Sequence, residues 1–343
     1  MHKPNLINIA NSLVAPGKGI LAADESVPTI NKRFKVVGIQ DTESNRRDYR
    51  EMLFGAEGAE QYISGVILFD ETMRQNSADG TPFVDVLRKK DIIPGIKVDR
   101  GTVNLTGSPG EKITEGLDGL RERLIEYHQF GARFAKWRAV INIAENQPSD
   151  TCLIANAQAL GRYAALCQEQ EIVPIVEPEI IMVGSHSIER CYEVTDRMLH
   201  FVFNAMYVNK VLLEGMLLKP NMIISGSDCE DQANSKKIAE LTIQCFYRRV
   251  PAAIPGILFL SGGQTEEQAT ANLNAINASS KTHPWEISFS FGRALQATAL
   301  GLWAGKRDQL PIARRAFIHR AQLNGAARAG TYTAEMEKNV NKM

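Results

Sequence analysis

The sequence predicts a single (β/α)8 barrel, on three observations. Eight short apolar runs rich in β-branched residues recur along the 343 residues. Stretches with helical periodicity lie between them. The runs begin 46, 28, 39, 41, 38, 45 and 29 residues apart, which suits one βα unit each time, and eight such units close on themselves. An open doubly wound sheet is the alternative; it would favour a G-x-G-x-x-G phosphate loop after the first strand, and none occurs.

In order, the predicted strands are Gly19–Asp24, Gly65–Asp70, Ile93–Asp99, Ala132–Val140, Val173–Ile180, Val211–Lys219, Gly256–Gly263 and Trp285–Phe291. They are near-continuous in apolar residues, as strands covered on both faces must be. Gly or Pro at their ends argues against helix. Predicted helices cover Asn45–Phe54, Leu117–Phe130, Thr151–Gln170, Ile188–Tyr207, Glu230–Arg249 and Thr265–Asn277. The segment from Arg100 to Glu115, rich in Gly, Thr and Asn, reads as a long loop. Residues 1–330 are expected to form the barrel and 331–343 a polar, mobile tail.

Composition narrows the function. The 39 Lys+Arg balance 39 Asp+Glu, which disfavours a bulk nucleic-acid or anionic-membrane partner. The interrupted amino terminus does not read as a signal peptide, and no apolar run reaches a membrane span's length. Five irregularly spaced cysteines without a C-x-x-C pair point to a reduced, cytoplasmic setting. The six histidines show no metal-binding spacing, and His186 reads as a surface residue.

The informative feature is charge inside apolar strands. Asp24, Lys97, Asp99, Lys136, Arg138, Glu177, Glu179, Glu214, Lys219 and Arg293 sit in or at the ends of these runs. Burying an unpaired charge is strongly unfavourable, and the carboxyl ends of barrel strands converge on one face. Each residue alone also has a structural reading. Asp24 or Asp99 could cap a helix, Glu214 or Lys97 could belong to an ion pair, and V-E-P-E could be a solvated edge. Together, three buried lysines on neighbouring strands call for a functional reason.

Lys219 ends the run Met-Leu-Leu-Lys before Pro220. Desolvation and a nearby cation such as Lys136 disfavour the ammonium and expose a nucleophilic amine. Glu177 and Glu179 face one side of a strand, where paired carboxylates push their pKa values apart into donor and acceptor. Ser261, Gly262 and Gly263 end the seventh strand, and Ser290-Phe291-Gly292-Arg293 ends the eighth. Those two loops are the habitual phosphate site of barrels, with glycine amides and a guanidinium suited to an anion.

These same residues give the sequence its resemblance to class I fructose-bisphosphate aldolases, plant and bacterial members in particular. The resembling blocks include GILAADES, NRRDYREML, GVILFDET, GIKVDRG, ARFAKWR, IVPIVEPEI, LLKPNM, FLSGGQTEEQAT and FGRALQATAL, from Gly17 to about Thr333. The resemblance implies that Lys219 forms the Schiff base, that Glu177 transfers protons with Glu179 beside it, and that Asp24 holds the C4 hydroxyl. It gives Lys136 the charge near the carbinolamine. Arg138 and Lys97 fall at the sugar chain or distal phosphate, and Arg33 near a phosphate. Ser261, Gly262, Gly263 and Arg293 match the ketose-end phosphate site. The implied reaction converts fructose 1,6-bisphosphate to dihydroxyacetone phosphate and glyceraldehyde 3-phosphate reversibly, without metal or cofactor, in glycolysis and gluconeogenesis, with the Calvin cycle a further setting. A homotetramer is implied.

Three departures accompany the resemblance. Thr29, after Val27-Pro28, stands where the family has Ser. Phe291 replaces the more usual Tyr, removing a hydroxyl expected near the phosphate. Many members carry a terminal tyrosine, whereas the last tyrosine here is Tyr332 and the sequence closes Asn341-Lys342-Met343. A metal-dependent aldolase and a non-catalytic sugar-phosphate-binding barrel are the competing readings. The first lacks its histidine cluster; the second has no use for a nucleophilic lysine.

Overall fold

Eight parallel strands close into a barrel in the computed structural model, which describes residues 3–279 and 282–342. The barrel strands are β1 (Gly19–Ala23), β2 (Ile63–Leu68), β3 (Ile93–Lys97), β4 (Phe134–Ile141), β5 (Val173–Ile180), β6 (Leu217–Leu218), β7 (Gly256–Phe259) and β8 (Glu286–Phe291). Each pairs with its sequence neighbours, and β8 returns to β1 through Ile20 opposite Ser290.

Helices α1 (Lys3–Leu13), α2 (Val27–Val36), α3 (Glu43–Phe54), α4 (Leu120–Phe130), α5 (Asp150–Glu169), α6 (Ile188–Val208), α7 (Ser235–Arg249), α8 (Glu266–Asn277), α9 (Arg293–Trp303) and α10 (Leu310–Arg328) account for most of the rest. Five of them start on side-chain caps, which satisfy otherwise orphaned amides. Thr42, Ser149, Ser187 and Asn234 each accept from the amide three residues on, and Thr265 with Gln268 makes a reciprocal capping box. The Asn234 cap explains why α7 begins five residues later than the periodicity predicts. A Gly119 in the left-handed region likewise delays α4 to Leu120.

Two buried layers result. The outer one packs helices on the barrel exterior, with Trp137, Phe289 and Phe291 among its members. The inner one fills the amino-terminal end of the barrel with Ile20, Ile67, Phe134, Val173, Ile175, Leu217 and Leu258. Helix α1 closes that end with Leu6, Ala10, Leu13 and Val14. Phe134 spans the floor because Gly95 faces it; a β-carbon there would lie 2.3 Å from the ring.

The structure corrects three sequence expectations. Between Arg100 and Glu115 the chain forms an antiparallel hairpin, Thr102–Asn104 with Lys112–Thr114, rather than a structureless loop. The sixth strand is two residues long. Its expected first half is irregular because the Gln168 amide accepts from Leu212 N at 2.8 Å and donates to Leu212 O and Gly215 O, replacing the ladder. Glu214 lies exposed in that turn, not within the barrel. Helices α1, α2, α9 and α10 have no counterpart among the predicted elements.

Residues 334–342 form 3-10 turns against α10, held by Arg320 to Glu337 at 2.8 Å and by the Tyr332 hydroxyl donating to Glu337 at 2.8 Å. Met343 of the predicted tail lies outside the described residues, as do the side chains of 339–342. Among the described residues, no helix is long and apolar enough to cross a membrane.

Candidate active site

Strand alternation builds the site directly above the apolar floor. Along β4 the inward positions read Phe134, Lys136 and Arg138, so one strand passes from core to charge in four residues. Along β5 the series is Val173, Ile175, Glu177 and Glu179. The carboxyl ends of β1 and β6 add Asp24 and Lys219. Lys219 keeps the ladder through its amide, which donates to Val176 O at 2.8 Å. Together they line a cleft of about 460 Å³ that also takes in Glu25, Arg33, Lys97, Asp99, Arg138, Ser261, Gly262, Ser290 and Arg293.

At the base of the cleft charges alternate. Glu177 bridges two ammonium groups, Lys219 at 3.0 Å and Lys136 at 3.1 Å, and Lys136 reaches Asp24 at 2.8 Å. All four are buried. Burial opposes charge on Asp24, but the ammonium groups of Lys136, Lys219 and Lys97 outweigh it and hold the carboxyl below its ordinary range. Glu177 follows the same pattern: burial works against its anion, while Lys136, Lys219 and Arg138 bring its pKa down. For Lys136 burial disfavours the cation, yet Asp24, Glu177 and Asp99 push its pKa up.

This arrangement corrects two expectations. Lys136 and Lys219 do not act on one another alone, because the Glu177 carboxylate stands between them. Glu177 and Glu179 do not form a proton-sharing dyad either. Glu179 is engaged by the Arg138 guanidinium, and cations, not its fellow carboxylate, dominate the surroundings of Glu177. The three lysines come from β3, β4 and β6, and interleaved carboxylates remove the repulsion between them.

The remaining predicted residues fall on the walls. Lys97 donates to Asp99 at 2.5 Å, and Asp99 also accepts from Gly101 N at 3.2 Å and Arg138 N at 3.3 Å. Asp99 thereby pins the loop beside the cleft to β4. Ser261 and Gly262 line the opposite wall; a β-carbon on Gly262 would stand 3.0 Å from Glu179 Oε1, so the chain can approach there only without one. Arg293 is exposed at the first position of α9. Thr29 lines the cleft near Ser26, their hydroxyls 3.1 Å apart.

Two predicted features lie elsewhere. Gly263 is absent from the wall; its positive φ of 76° turns the chain away against Met182. Phe291 points outward into the helix layer, its ring centroid 5.5 Å from that of Phe289. Strand alternation puts Ser290 inward instead, so the Tyr-to-Phe departure changes the packing layer and not the cleft wall. His186, expected at the surface, is half-buried beside Gly226.

Sequence reasoning missed Glu25 and Arg50, and it marked Ser290 only as part of the segment that ends the eighth strand. Ser290 Oγ is buried without a hydrogen-bond partner and faces the cleft. Its signal was the alternation itself: Ser288 and Ser290 take inward positions between the outward Ile287, Phe289 and Phe291. Among the described residues, no group of three or more His, Cys, Asp or Glu converges as a metal site requires.

Comparisons with known proteins cover nearly the whole chain. The family profile described as "Fructose-bisphosphate aldolase class-I" matches residues 5–343. The chain belongs to the class I fructose-bisphosphate aldolase family. It is similar to a probable fructose-bisphosphate aldolase class 1 of Xanthomonas axonopodis pv. citri, 56% identical over 333 residues, covering 97% of this chain and 99% of the relative. It is also similar to the cytosolic fructose-bisphosphate aldolase 4 of Arabidopsis thaliana, 51% identical over 97% of this chain and 84% of that one. Among solved structures, the Plasmodium falciparum aldolase, crystallised with TRAP and a small-molecule inhibitor, superposes with a TM-score of 0.95 at 49% identity and covers 96% of each chain. The aldolase family thus accounts for the barrel and for the whole length compared.

Proposed function

We propose that Lys219, Glu177, Lys136 and Asp24 divide the aldol cleavage of fructose 1,6-bisphosphate among them, through a Schiff base on Lys219. The observation that carries this reading is the buried Lys219–Glu177–Lys136–Asp24 chain, with no gap above 3.1 Å. Glu177 is the acceptor placed to take a proton from the Lys219 ammonium, and the amine so formed attacks the C2 carbonyl. The carbinolamine oxygen takes up a proton and leaves as water, producing the protonated imine. Lys136 balances the anionic carboxylates throughout this step.

Asp24 accepts the C4 hydroxyl proton. Because its neighbours keep it ionised, it stands ready as an acceptor at any pH near neutral. The C3–C4 bond then breaks, its electron pair moving into the iminium to form an enamine, while glyceraldehyde 3-phosphate departs. Protonation at C3, with Glu177 the nearest exchangeable group to the lysine, and hydrolysis of the imine release dihydroxyacetone phosphate. Ser261, Gly262 and Arg293 take the ketose-end phosphate, Arg33 beside them. Lys97 and Arg138 face the sugar chain or the distal phosphate.

Borohydride reduction with dihydroxyacetone phosphate tests the reading. A covalent adduct on Lys219, with activity lost, is expected; reduction that leaves Lys219 unmodified overturns it. Assembly as a homotetramer and a cytoplasmic location belong to the same proposal. Cytosolic names among the plant relatives support the location, and sedimentation at equilibrium tests the assembly.

A further inference from the structure

Beside the phosphate wall lies a second charged group that the reaction steps above do not use. Glu25 follows Asp24 at the end of β1, and its side chain is only 4% exposed. Two guanidiniums share its carboxylate: Arg33 on Oε1, and Arg50 on Oε2 at 2.7 Å. Burial opposes the Glu25 anion, but Arg33 and then Arg50 overcome it and bring its pKa down.

The two arginines differ in what else they reach. Arg33 is 24% exposed and lines the cleft. Its Nη2 lies 3.6 Å from where a β-carbon on Gly292 would stand, next to Arg293. Arg50 is 3% exposed, forms no part of the cleft wall, and sits 5.4 Å from the Tyr49 ring centroid. Its Nη1 is buried without an acceptor, so Glu25 is its one anionic partner among the described residues. Gln296 ties the group together. Its carbonyl accepts from Tyr49 at 2.8 Å and Arg33 at 3.4 Å, and its amide donates to Ala22 O at 2.7 Å.

Charge counting sets the behaviour. A buried carboxylate with one counter-ion holds it tightly, because losing that partner strands an uncompensated charge. With two, one can leave. We propose that Glu25 is a positioning residue that parks Arg33 at the edge of the ketose-end phosphate site. Arg50 is the fixed counter-charge that lets Arg33 exchange Glu25 for phosphate. This rests on the reading of Arg33 as a phosphate contact.

Steady-state cleavage of fructose 1,6-bisphosphate and fructose 1-phosphate, which share the ketose-end phosphate, tests it. In Arg50→Met, Glu25 keeps only Arg33, so KM rises roughly tenfold for both substrates while kcat stays near the wild-type value. Adding Glu25→Gln removes the stranded charge, and KM returns to within about threefold of wild type. A double variant as impaired as the single overturns the exchange, since a purely structural Arg50 predicts no relief. If Arg50→Met does not fold, Arg50→Lys carries the test. It retains the counter-charge and should keep the wild-type KM; a raised KM that Glu25→Gln does not relieve overturns the proposal. Arg33→Ala separates the two layers. An unchanged KM there removes Arg33 from the phosphate site, and both readings fall. A raised KM in Arg33→Ala beside an unchanged one in Arg50→Met removes only the exchange.

Discussion

The floor and the mouth of the barrel are made from the same eight strands by opposite rules. At the floor, Phe134, Ile20, Ile67, Val173 and Leu258 fill space, and α1 seals it. Two and four residues further along β4, Lys136 and Arg138 meet carboxylates that no apolar core would tolerate. The floor gains stability by area removed from water. The mouth gives some of it up, because buried ion pairs seldom repay their desolvation against apolar replacements. The comparison separates what holds the barrel from what the barrel holds.

Substitutions in each region should therefore separate activity from stability. Glu177→Gln, which removes the bridge between Lys136 and Lys219, should lower kcat by roughly 10²–10⁴-fold, with the folded barrel retained in circular dichroism. A variant with wild-type turnover would place the proton transfer elsewhere. At the floor, Phe134→Ala should cost about 3–5 kcal/mol of unfolding free energy and leave KM near its wild-type value. A large kinetic effect with unchanged stability would break the distinction between the regions.

Lys136→Met sharpens it through pH. In the wild type the Asp24 and Glu177 carboxyls are held below their unfolded values. The stability they contribute is complete above the ordinary carboxylate range and is lost as pH falls through the folded values. Without Lys136 each carboxyl loses its leading attractive partner, and its pKa rises from the wild-type position. The folded variant then takes up protons at higher pH than the folded wild type, so its loss of stability is greatest near neutral pH. Thermal melts should show the Tm deficit of the variant narrowing as pH falls through the carboxylate range. Matching slopes in the two proteins would refute the coupling. Smallest of all, Tyr332→Phe removes one hydroxyl from a Glu337 that keeps Arg320. It should cost at most about 1 kcal/mol and leave kcat and KM unchanged in the same assays.

The sequence displayed the mouth better than the floor. Lysine or glutamate inside an apolar strand is conspicuous because few folds accept it, so Lys219, Lys136 and Glu177 could be picked out by type and place. Which cation faces which carboxylate was not legible. The Glu177–Glu179 pair looked like a dyad, and only the closed barrel puts Lys136 and Lys219 around one member and Arg138 against the other. Glu25 was hidden by its neighbour Asp24, and Arg50 lies among several charged residues of α3 that sequence alone does not tell apart. At the floor, Leu6, Ala10, Leu13 and Val14 follow a helical spacing. The surrounding Asn residues masked it, because helix formation there depends on tertiary burial more than on propensity. The sixth strand was overextended because a glutamine side chain can stand in for a ladder, and periodicity carries no sign of that.

The stopper formed by α1 has a consequence for hydrogen bookkeeping. A vessel closed at one end exchanges with solvent only through its mouth. Protons that reach Asp24, Lys136, Glu177 or Lys219 from water therefore pass the cleft walls at the carboxyl-terminal face, and the floor offers them no second door.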